Sequence, residues 1–280
     1  MSDKEKIAVT GASGFIGKNL IQSLGKGSYE VRVVKRDLIS GEGLKEFLNG
    51  SDILIHLASL LTGPEGEVYK FNTTSVKNLL NLAKGITKII FVSSAAVYGK
   101  TKGIPFKEEN VLSPDNEYAR SKADCESEII KWSEDNGIQY IILRPFNVYG
   151  PGSDHGVVAS MMKSIKEKGK ITVNGDPEKI LRDFLYVQDF VDVLILVLKS
   201  GFQGIYNIGW GKNRSLAELI TLLKKFSKKS FELEIEPNDP TKSGNIEIDT
   251  TKASTELLWR PKVNLEEGIK KTVEWFGEQK

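Results

Sequence analysis

The sequence has little of what disulfide frameworks, zinc sites and membrane spans are built from. It contains one cysteine, Cys125, and two histidines in 280 residues, so it cannot form an internal disulfide and has too few soft ligands for zinc. The longest apolar run, Val193 to Leu198, is too short to cross a bilayer, and the start from Met1 to Lys6 is charged rather than a signal sequence. We therefore expect no metal, no membrane partner and a cytoplasmic location.

The chain also lacks a large excess of charge of either sign. Its formal net charge is +2, with 40% hydrophobic and 27% charged residues, which is the composition of an ordinary globular protein with a sizeable core. Acidic and basic residues are interspersed, so we expect no nucleic-acid-binding face. Small molecules are the expected partners.

A glycine-rich turn near the N-terminus is the most specific motif. Gly11, Gly14 and Gly17 follow an apolar strand and open a helical pattern that runs to Leu24. Three glycines at this spacing let the backbone bend tightly, approach a pyrophosphate closely and point free amide groups at it. The strand before the turn and the helix after it distinguish the motif from a simple tight turn. The sequence therefore predicts a dinucleotide-binding site here.

Short apolar runs alternate with helical patterns along the first half of the chain. The predicted buried parallel strands are 7–10, 31–34, 53–58, 89–93 and 140–144, and the predicted helices lie near 14–24, 42–48, 66–84 and 114–136. This alternation predicts an α/β fold with a Rossmann-type doubly wound parallel sheet, which binds ligands at the carboxyl ends of its strands. The alternation breaks beyond Pro151. We expect an NAD(P)-binding domain over 1–150, with part of 180–210 returning to it, and a smaller substrate-binding portion over 151–280.

A tyrosine and a lysine stand four residues apart on the last of these helices, whose predicted start is Ser113 and Pro114. This spacing puts Tyr118 and Lys122 on one helix face. A tyrosine that works near neutral pH needs its pKa lowered by about 3 pH units, or ~4 kcal/mol. An ammonium about 4 Å away supplies roughly that amount at an effective dielectric near 20. Such pairs are also common on solvated helices, so the meaning of this one depends on its neighbours.

The fourth predicted strand ends in two hydroxyl residues, Ser93 and Ser94. They suit a ligand-binding edge, and they equally suit turn caps. Together with Tyr118 and Lys122 they resemble the extended short-chain dehydrogenase/reductase family, the nucleotide-sugar epimerases and dehydratases. The resemblance covers nearly the whole chain, and its further motifs are His56 to Ala58, Asn72, Arg144 to Pro151, Arg182 to Phe184 with Val187 and Asp189, and Leu257 to Pro261.

The resemblance implies that Ser94, Tyr118 and Lys122 are the catalytic group. Tyr118 would move the proton, Ser94 would hold the sugar oxygen and the phenol in line, and Lys122 would lower the pKa of the phenol and bind the nicotinamide ribose. This assignment is chemically consistent, because hydride transfer at a carbon needs a matched proton transfer at its oxygen.

The resemblance also implies binding residues and partners. The implied cofactor-binding residues are Gly11, Gly14, Phe15, Ile16, Gly17, Lys35, Arg36, Asp37, Leu57, Ala58, Lys122 and Pro145. The implied substrate-binding residues are Ser94, Asn147, Arg182 and Lys242. Arg182 would bind a pyrophosphate oxygen as a fork, or it forms a structural ion pair with Asp183. The implied partners are a nucleotide-diphosphate sugar and a second copy of the chain in a homodimer.

The residues after the second predicted strand leave the cofactor open between NAD and NADP. Lys35 and Arg36 either bind a 2′-phosphate or are simply solvated. Asp37 lies 20 residues past Gly17, a spacing that suits a ribose contact. We therefore expect NAD(P) and favour NADP.

Departures from the family pattern reduce the number of reactions that the chain is expected to catalyse. Sugar 4,6-dehydratases of the family carry an acidic pair where this chain has Ala95 and Ala96, so dehydration lacks its acid and base. Lys242 stands where relatives have a phosphate-binding arginine. Asn174 stands where relatives often stack an aromatic ring on the nucleobase. The identity of the bound nucleotide therefore stays open. The resemblance then implies a UDP-hexose-type 4-epimerase that acts through a transient 4-keto sugar. The alternatives are an NADPH-dependent reductase of a nucleotide-diphospho-4-keto-6-deoxy sugar and a non-catalytic dinucleotide-sensing regulator.

Overall fold

The computed structural model describes residues 4–25, 29–34, 37–99, 105–199, 201–237 and 247–278. Within these ranges the strands are β1 (Lys6–Thr10), β2 (Glu30–Val33), β3 (Ile53–His56), β4 (Lys88–Val92), β5 (Gln139–Pro145), β6 (Val148–Tyr149), β7 (Lys170–Asn174), β8 (Leu181–Arg182), β9 (Leu185–Tyr186), β10 (Gly204–Ile208), β11 (Arg214–Ser215) and β12 (Glu232–Glu236). The helices are α1 (Phe15–Leu24), α2 (Leu44–Leu48), α3 (Glu67–Leu82), α4 (Glu117–Asn136), α5 (Gly156–Lys168), α6 (Val187–Leu196), α7 (Leu216–Phe226), α8 (Thr251–Glu256) and α9 (Leu265–Glu278). A short 3₁₀ turn spans Ala95–Tyr98.

The largest sheet has six strands in the order β10-β5-β4-β3-β1-β2. The β1–β2, β1–β3, β3–β4 and β4–β5 pairs are parallel. The chain adds β2 on one side of β1 and β3 on the other, which creates a topological switch point at β1 and β3. Sheets of this kind bind ligands outside the carboxyl ends of the strands at such a point. The order confirms the predicted Rossmann-type doubly wound sheet and adds β10, a strand that the apolar runs alone did not single out.

The central strands are buried because helices cover the sheet. Every residue of β3 and β4 is buried, which explains why their sequences are nearly continuous apolar runs rather than alternating ones. Leu54 and Phe91 from the sheet pack in one cluster with Leu79 of α3 and Ile129 of α4. This packing makes the carboxyl ends of β3 and β4 a rigid platform.

Helix α4 begins later than the sequence analysis predicts. Its N-cap is Asn116, whose side-chain oxygen accepts a hydrogen bond from the Ala119 amide at 2.9 Å. The prediction that Ser113 and Pro114 start the helix is wrong. The Ser113 amide instead donates to the Val97 carbonyl at 3.1 Å and ties this segment to the turn after β4. Asparagine and serine are both good N-caps, so only the tertiary contact distinguishes the two starts.

The chain divides into two compact units, each described here by itself. The first unit contains Met1–Gly99, Glu108–Arg144 and Val191–Tyr206, and the second contains Lys100–Lys107, Pro145–Phe190 and Asn207–Lys280. The expectation that residues 1–150 bind the dinucleotide and 151–280 the substrate stays a prediction.

Candidate active site

The glycine turn after β1 packs directly against the end of β3. Gly11 has φ +72°, and a Cβ added there would lie 2.5 Å from the backbone nitrogen of Ala58. A Cβ added to Gly17 would lie 2.1 Å from the Gly11 carbonyl oxygen. Both neighbours are backbone atoms that no side-chain rotation can move. The turn, the start of α1 and the loop after β3 therefore approach one another as only glycine allows.

Helix α1 begins just after the carboxyl end of β1, and its first-turn peptide donors are not capped by a side chain. Gly14 is its N-cap and provides no side-chain cap, and the first turn carries no acidic residue. The amides of Phe15, Ile16 and Gly17 belong to the first turn, whose N–H groups have no partner within the helix. Such a helix start attracts an anion through these donors and through the helix dipole. The turn thus fits the pyrophosphate of a dinucleotide, and neither a capping side chain nor a carboxylate competes for the place.

Ser94, Tyr118 and Lys122 come together at the carboxyl end of β4. The Ser94 hydroxyl oxygen accepts a hydrogen bond from the Ala96 amide at 3.1 Å and also bonds to the Tyr118 phenol. Ser94 therefore caps the 3₁₀ turn and contacts the tyrosine at once. The Lys122 ammonium donates to the Val92 carbonyl at 2.8 Å and lies 5.8 Å from the centroid of the Tyr118 ring.

The protein groups around the phenol hold it in its protonated form. Burial raises the pKa of Tyr118 to about 12, and the hydrogen bond from Ser94 offsets part of this effect. Burial also lowers the pKa of Lys122 to about 8. These values describe the protein without its cofactor, so the expectation that Lys122 lowers the pKa of the phenol, together with a cationic nicotinamide, stays a prediction. Removing the phenolate from water is the largest effect of the chain's own groups.

A buried pair that the sequence analysis did not single out secures the end of β3. The Thr10 hydroxyl lies 2.6 Å from Nδ1 of His56 and accepts a longer bond, 3.4 Å, from the Ala58 amide. The His56 ring stacks on Phe91 with centroids 5.7 Å apart. Burial lowers the pKa of His56 to about 3, with a smaller contribution from Lys122, so the ring is neutral at physiological pH. Its place in the His56 to Ala58 motif was the signal that could have found it.

Asn72 joins the loop after β3 to two helices. Its side-chain oxygen accepts from the Leu60 amide at 2.9 Å, and its amide group donates to the Leu60 carbonyl at 3.1 Å and to the Ser121 hydroxyl at 2.9 Å. Ser121 is the neighbour of Lys122 on α4. Asn72 therefore ties the loop after β3 to α4 beside Lys122.

In the second unit the structure brings two predicted substrate residues into one hydrogen-bonded segment. Asn147 adopts a positive φ of 35°, and its amide group donates to the Asp183 carbonyl at 3.0 Å. Arg182, which precedes Asp183 in the chain, is half-buried, and its guanidinium donates to the Leu181 carbonyl at 2.8 Å. The Asp183 carboxylate accepts from the amides of Trp210 and Gly211 at 2.8 and 2.6 Å.

The remaining predicted residues are distributed as follows. Leu57 and Ala58 directly follow β3, and Pro145 is the last residue of β5. Asp37 is exposed, and its carboxylate accepts from the Ile39 amide at 2.8 Å. Lys35, Arg36 and Lys242 lie outside the described residues, so their assignments stay predictions.

Membrane-spanning helices and metal clusters are both absent from the described ranges. No helix there is both long enough and apolar enough to cross a membrane. No three histidine, cysteine, aspartate or glutamate residues among those described lie close enough together to hold a metal ion.

Residues 7–209 match the model of the NAD dependent epimerase/dehydratase family. The chain belongs to this family. The match spans the glycine turn, the Ser94–Tyr118–Lys122 group and the Asn147 and Arg182 segment, and it confirms the resemblance drawn from the sequence. The protein is thus an enzyme of the extended short-chain dehydrogenase/reductase type.

Relatives of known or assigned activity match almost end to end. A putative UDP-glucose 4-epimerase from Methanocaldococcus jannaschii is 30% identical, with 96% of this chain and 98% of the relative covered. GDP-6-deoxy-D-mannose reductase from Pseudomonas aeruginosa is also 30% identical, with 95% of each chain covered. The family membership therefore covers epimerases and reductases of nucleotide sugars.

Solved structures share the fold at similar coverage. UDP-glucose 4-epimerase from Thermotoga maritima, crystallised with UDP-glucose, gives a TM-score of 0.90 at 28% identity over 98% of this chain and 99% of that one. The structure called RMD from Pseudomonas aeruginosa, complexed with NADPH, gives 0.89 at 26% identity over 99% and 100%. These likenesses confirm the Rossmann-type fold class.

Proposed function

We propose that this chain is an NAD(P)-dependent nucleotide-sugar 4-epimerase that acts through a transient 4-keto sugar. The observation that carries the proposal is the contact of Ser94 with Tyr118 at the carboxyl end of β4, with Lys122 anchored beside them. Epimerisation at a carbon that bears a hydroxyl needs one group that takes a proton from the oxygen and later returns it. The similarity to UDP-glucose 4-epimerases supports the choice of substrate class.

The cofactor would bind at the switch point. The first-turn amides of Phe15, Ile16 and Gly17 would hold the pyrophosphate, and Lys122 would bind the nicotinamide ribose. Leu57, Ala58 and Pro145 would border the dinucleotide. When bound, an oxidised nicotinamide would supply both the hydride acceptor and a positive charge near the phenol. We propose NADP rather than NAD as the cofactor. The support for this choice is the sequence pair Lys35 and Arg36, which lies outside the described residues.

The chain's own residues would then move one proton in each direction. With Lys122 and the bound oxidised nicotinamide supplying positive charge, Tyr118 would be in its phenolate form and would take the proton from the 4-hydroxyl oxygen, with Ser94 holding that oxygen in line through its own hydroxyl. The tyrosine would return the proton when the 4-keto group is reduced on the other face. The alanines at 95 and 96 carry no acidic or basic group, so elimination of water has no catalyst at those two positions.

Asn147, Arg182 and Lys242 would bind the nucleotide part of the sugar donor. The forked guanidinium of Arg182 suits two pyrophosphate oxygens, whereas a lysine meets phosphate only as a point charge. We further propose a homodimer in the cytoplasm, and light scattering at micromolar concentration would overturn the dimer by giving a monomer mass.

A second function is favoured by the similarity to a reductase. In direct reduction of a 4-keto sugar, Tyr118 would donate its proton to the 4-keto oxygen as the hydride arrives at the carbon. The similarity to GDP-6-deoxy-D-mannose reductase supports the same reading. The alternative is therefore an NADPH-dependent reductase of a nucleotide-diphospho-4-keto-6-deoxy sugar.

One experiment separates the two activities. The purified chain is given UDP-glucose or UDP-galactose with catalytic NAD(P), and the sugar nucleotides are followed by NMR. The 4-epimerase interconverts the two sugars with no net change in NAD(P)H absorbance. Steady consumption of NADPH with a 4-keto sugar nucleotide, and no interconversion, would reject the epimerase and support the reductase. Dinucleotide binding without any turnover would favour the regulator.

A further inference from the structure

A buried ion pair lies directly behind the catalytic group in the first unit. Glu126 of α4 and Arg144 of β5 are each 2% exposed. Nη2 of Arg144 lies 2.6 Å from Oε2 of Glu126, and Nε donates to Oε1 at 3.0 Å. The pair is thus bidentate and removed from water, which makes its geometry specific.

The pair is joined to the strand that carries the catalytic serine. The hydroxyl of Ser93 donates to the Glu126 carboxylate. The remaining guanidinium nitrogen, Nη1 of Arg144, donates to the Tyr98 hydroxyl at 2.7 Å and to the Glu108 carbonyl at 3.1 Å. The network therefore connects the end of β4, the 3₁₀ turn, α4 and β5. Ser93 is the residue before Ser94, so any movement at Ser93 is passed to the catalytic hydroxyl.

Stability alone is a weak reason for such a pair. A buried ion pair often gains nothing over apolar residues of the same volume, because the desolvation of both charges cancels their attraction. The position of Glu126 indicates another role. Tyr118, Lys122 and Glu126 follow one another at intervals of four residues and so lie along one face of α4.

Glu126 also acts on Lys122 through its charge. Burial lowers the pKa of Lys122 to about 8, while Cys125 and Glu126 oppose the lowering. The titratable groups around Lys122 are His56 on β3 and Tyr118, Cys125 and Glu126 on α4, and Arg144 of β5 is paired with Glu126. His56 is neutral and Cys125 is a protonated thiol at physiological pH, because burial raises the pKa of that thiol to about 12. Glu126 is the one carboxylate in this group.

We propose that Glu126 is a positioning residue of the catalytic group: with Arg144 and Ser93 it clamps α4 to the end of β4, and it supplies the negative charge that faces the Lys122 ammonium. The effect on turnover rests on the proposed function, whereas the effect on Lys122 does not. Removing the charge lowers the fraction of Lys122 that is protonated and so weakens its pull on the phenol and on a ribose.

The test variant is Glu126→Gln, which removes the negative charge alone; removing Arg144 as well would take away a positive charge and offset the effect on Lys122. The side-chain amide oxygen still accepts from Ser93, and Arg144 keeps its bonds to the Tyr98 hydroxyl and the Glu108 carbonyl. The matched control is Glu128→Gln, which makes the same charge change on the same helix at a residue that is not among the groups acting on Lys122. The pKa of Lys122 is measured in the protein without cofactor or substrate, by NMR of ¹³C-labelled lysine.

We expect the Lys122 pKa to fall by about one pH unit in Glu126→Gln and to stay unchanged in the control. The charged fraction at pH about 7.5 would then fall from about three quarters to about one quarter. An unchanged Lys122 pKa in folded Glu126→Gln would overturn the proposal. Because this measurement needs no substrate, it stays valid even if the epimerase assignment fails.

The positioning role has its own measurement. In an enzyme that turns over, the alkaline limb of the kcat profile moves to lower pH in Glu126→Gln, and a purely structural pair would not move it. Should Glu126→Gln fail to fold, Ser93→Ala keeps both charges and cuts only the link to β4. We expect Ser93→Ala to lower kcat about tenfold with little change in KM, and an unchanged kcat there would overturn the proposal.

Discussion

Gly17→Ala should break the nucleotide-binding turn without removing any side chain that a ligand touches. The added Cβ would lie 2.1 Å from the Gly11 carbonyl oxygen and 2.6 Å from the Ala12 Cα. Ordinary contact begins at 3.4 Å, so the start of α1 must move about 1.3 Å away from the turn, the difference between 3.4 and 2.1 Å. Both obstacles are backbone atoms, so the helix itself has to shift.

That shift misplaces the amides that would hold the pyrophosphate. Hydrogen bonds to a charged group are worth about 1.5–3 kcal/mol each, so losing one of them weakens cofactor binding roughly 10-fold to 100-fold. The strain should also lower the free energy of unfolding by about 1–3 kcal/mol. Calorimetric titration with NAD and NADPH measures the affinity, and urea unfolding measures the stability.

The matched control is Gly25→Ala at the other end of the same helix. Gly25 has φ −59°, and the nearest atom to an added Cβ is the Ile21 carbonyl oxygen at an ordinary 3.5 Å. Alanine at such a site should leave affinity unchanged and raise stability by up to about 1 kcal/mol. Wild-type affinity of Gly17→Ala for both dinucleotides would refute the assignment of this turn as the cofactor site.

Three further changes test other parts of the structure. Tyr118→Phe should lower turnover by roughly 10² to 10⁴ while sparing cofactor binding; a titration that shows loss of cofactor would instead make the tyrosine structural. Burial raises the pKa of Asp183 to about 6 from 3.8, so the folded state holds this proton more tightly than the unfolded one. The resulting stability is fully present below pH about 4 and is lost, by up to about 3 kcal/mol, as pH rises through 6. Urea unfolding between these pH values should show this loss in the wild type but not in Asp183→Asn, and equal slopes would contradict it. Lys88→Met removes a buried ammonium that donates to the Val197, Leu198 and Lys199 carbonyls at 3.3, 3.0 and 2.7 Å. It should lower the free energy of unfolding by about 1–3 kcal/mol with turnover retained, because Lys88 is at the opposite end of β4 from Ser94; turnover lost in a stably folded variant would contradict this.

Much of the fold was predictable because it follows from short-range patterns. Buried parallel strands must be apolar on both faces, so β1, β3, β4 and β5 are visible as continuous apolar runs. The start of α4 was not predictable, since Ser113 and Asn116 are equally good caps by type. The choice between them depends on the bond from Ser113 to Val97, across the 3₁₀ turn.

The sequence by itself determined which chemical groups the site contains. Glycine spacing after a strand, and a tyrosine and a lysine four residues apart, are local properties that hold wherever the segments pack. Only the tertiary structure decided how those groups behave. The pKa of a phenol depends on how much water its neighbours exclude, and burial raises the pKa of Tyr118 in the protein without its cofactor, which its spacing from Lys122 could not show. The pairing of Glu126 with Arg144 was equally invisible, because it joins two elements that meet only when the sheet is complete.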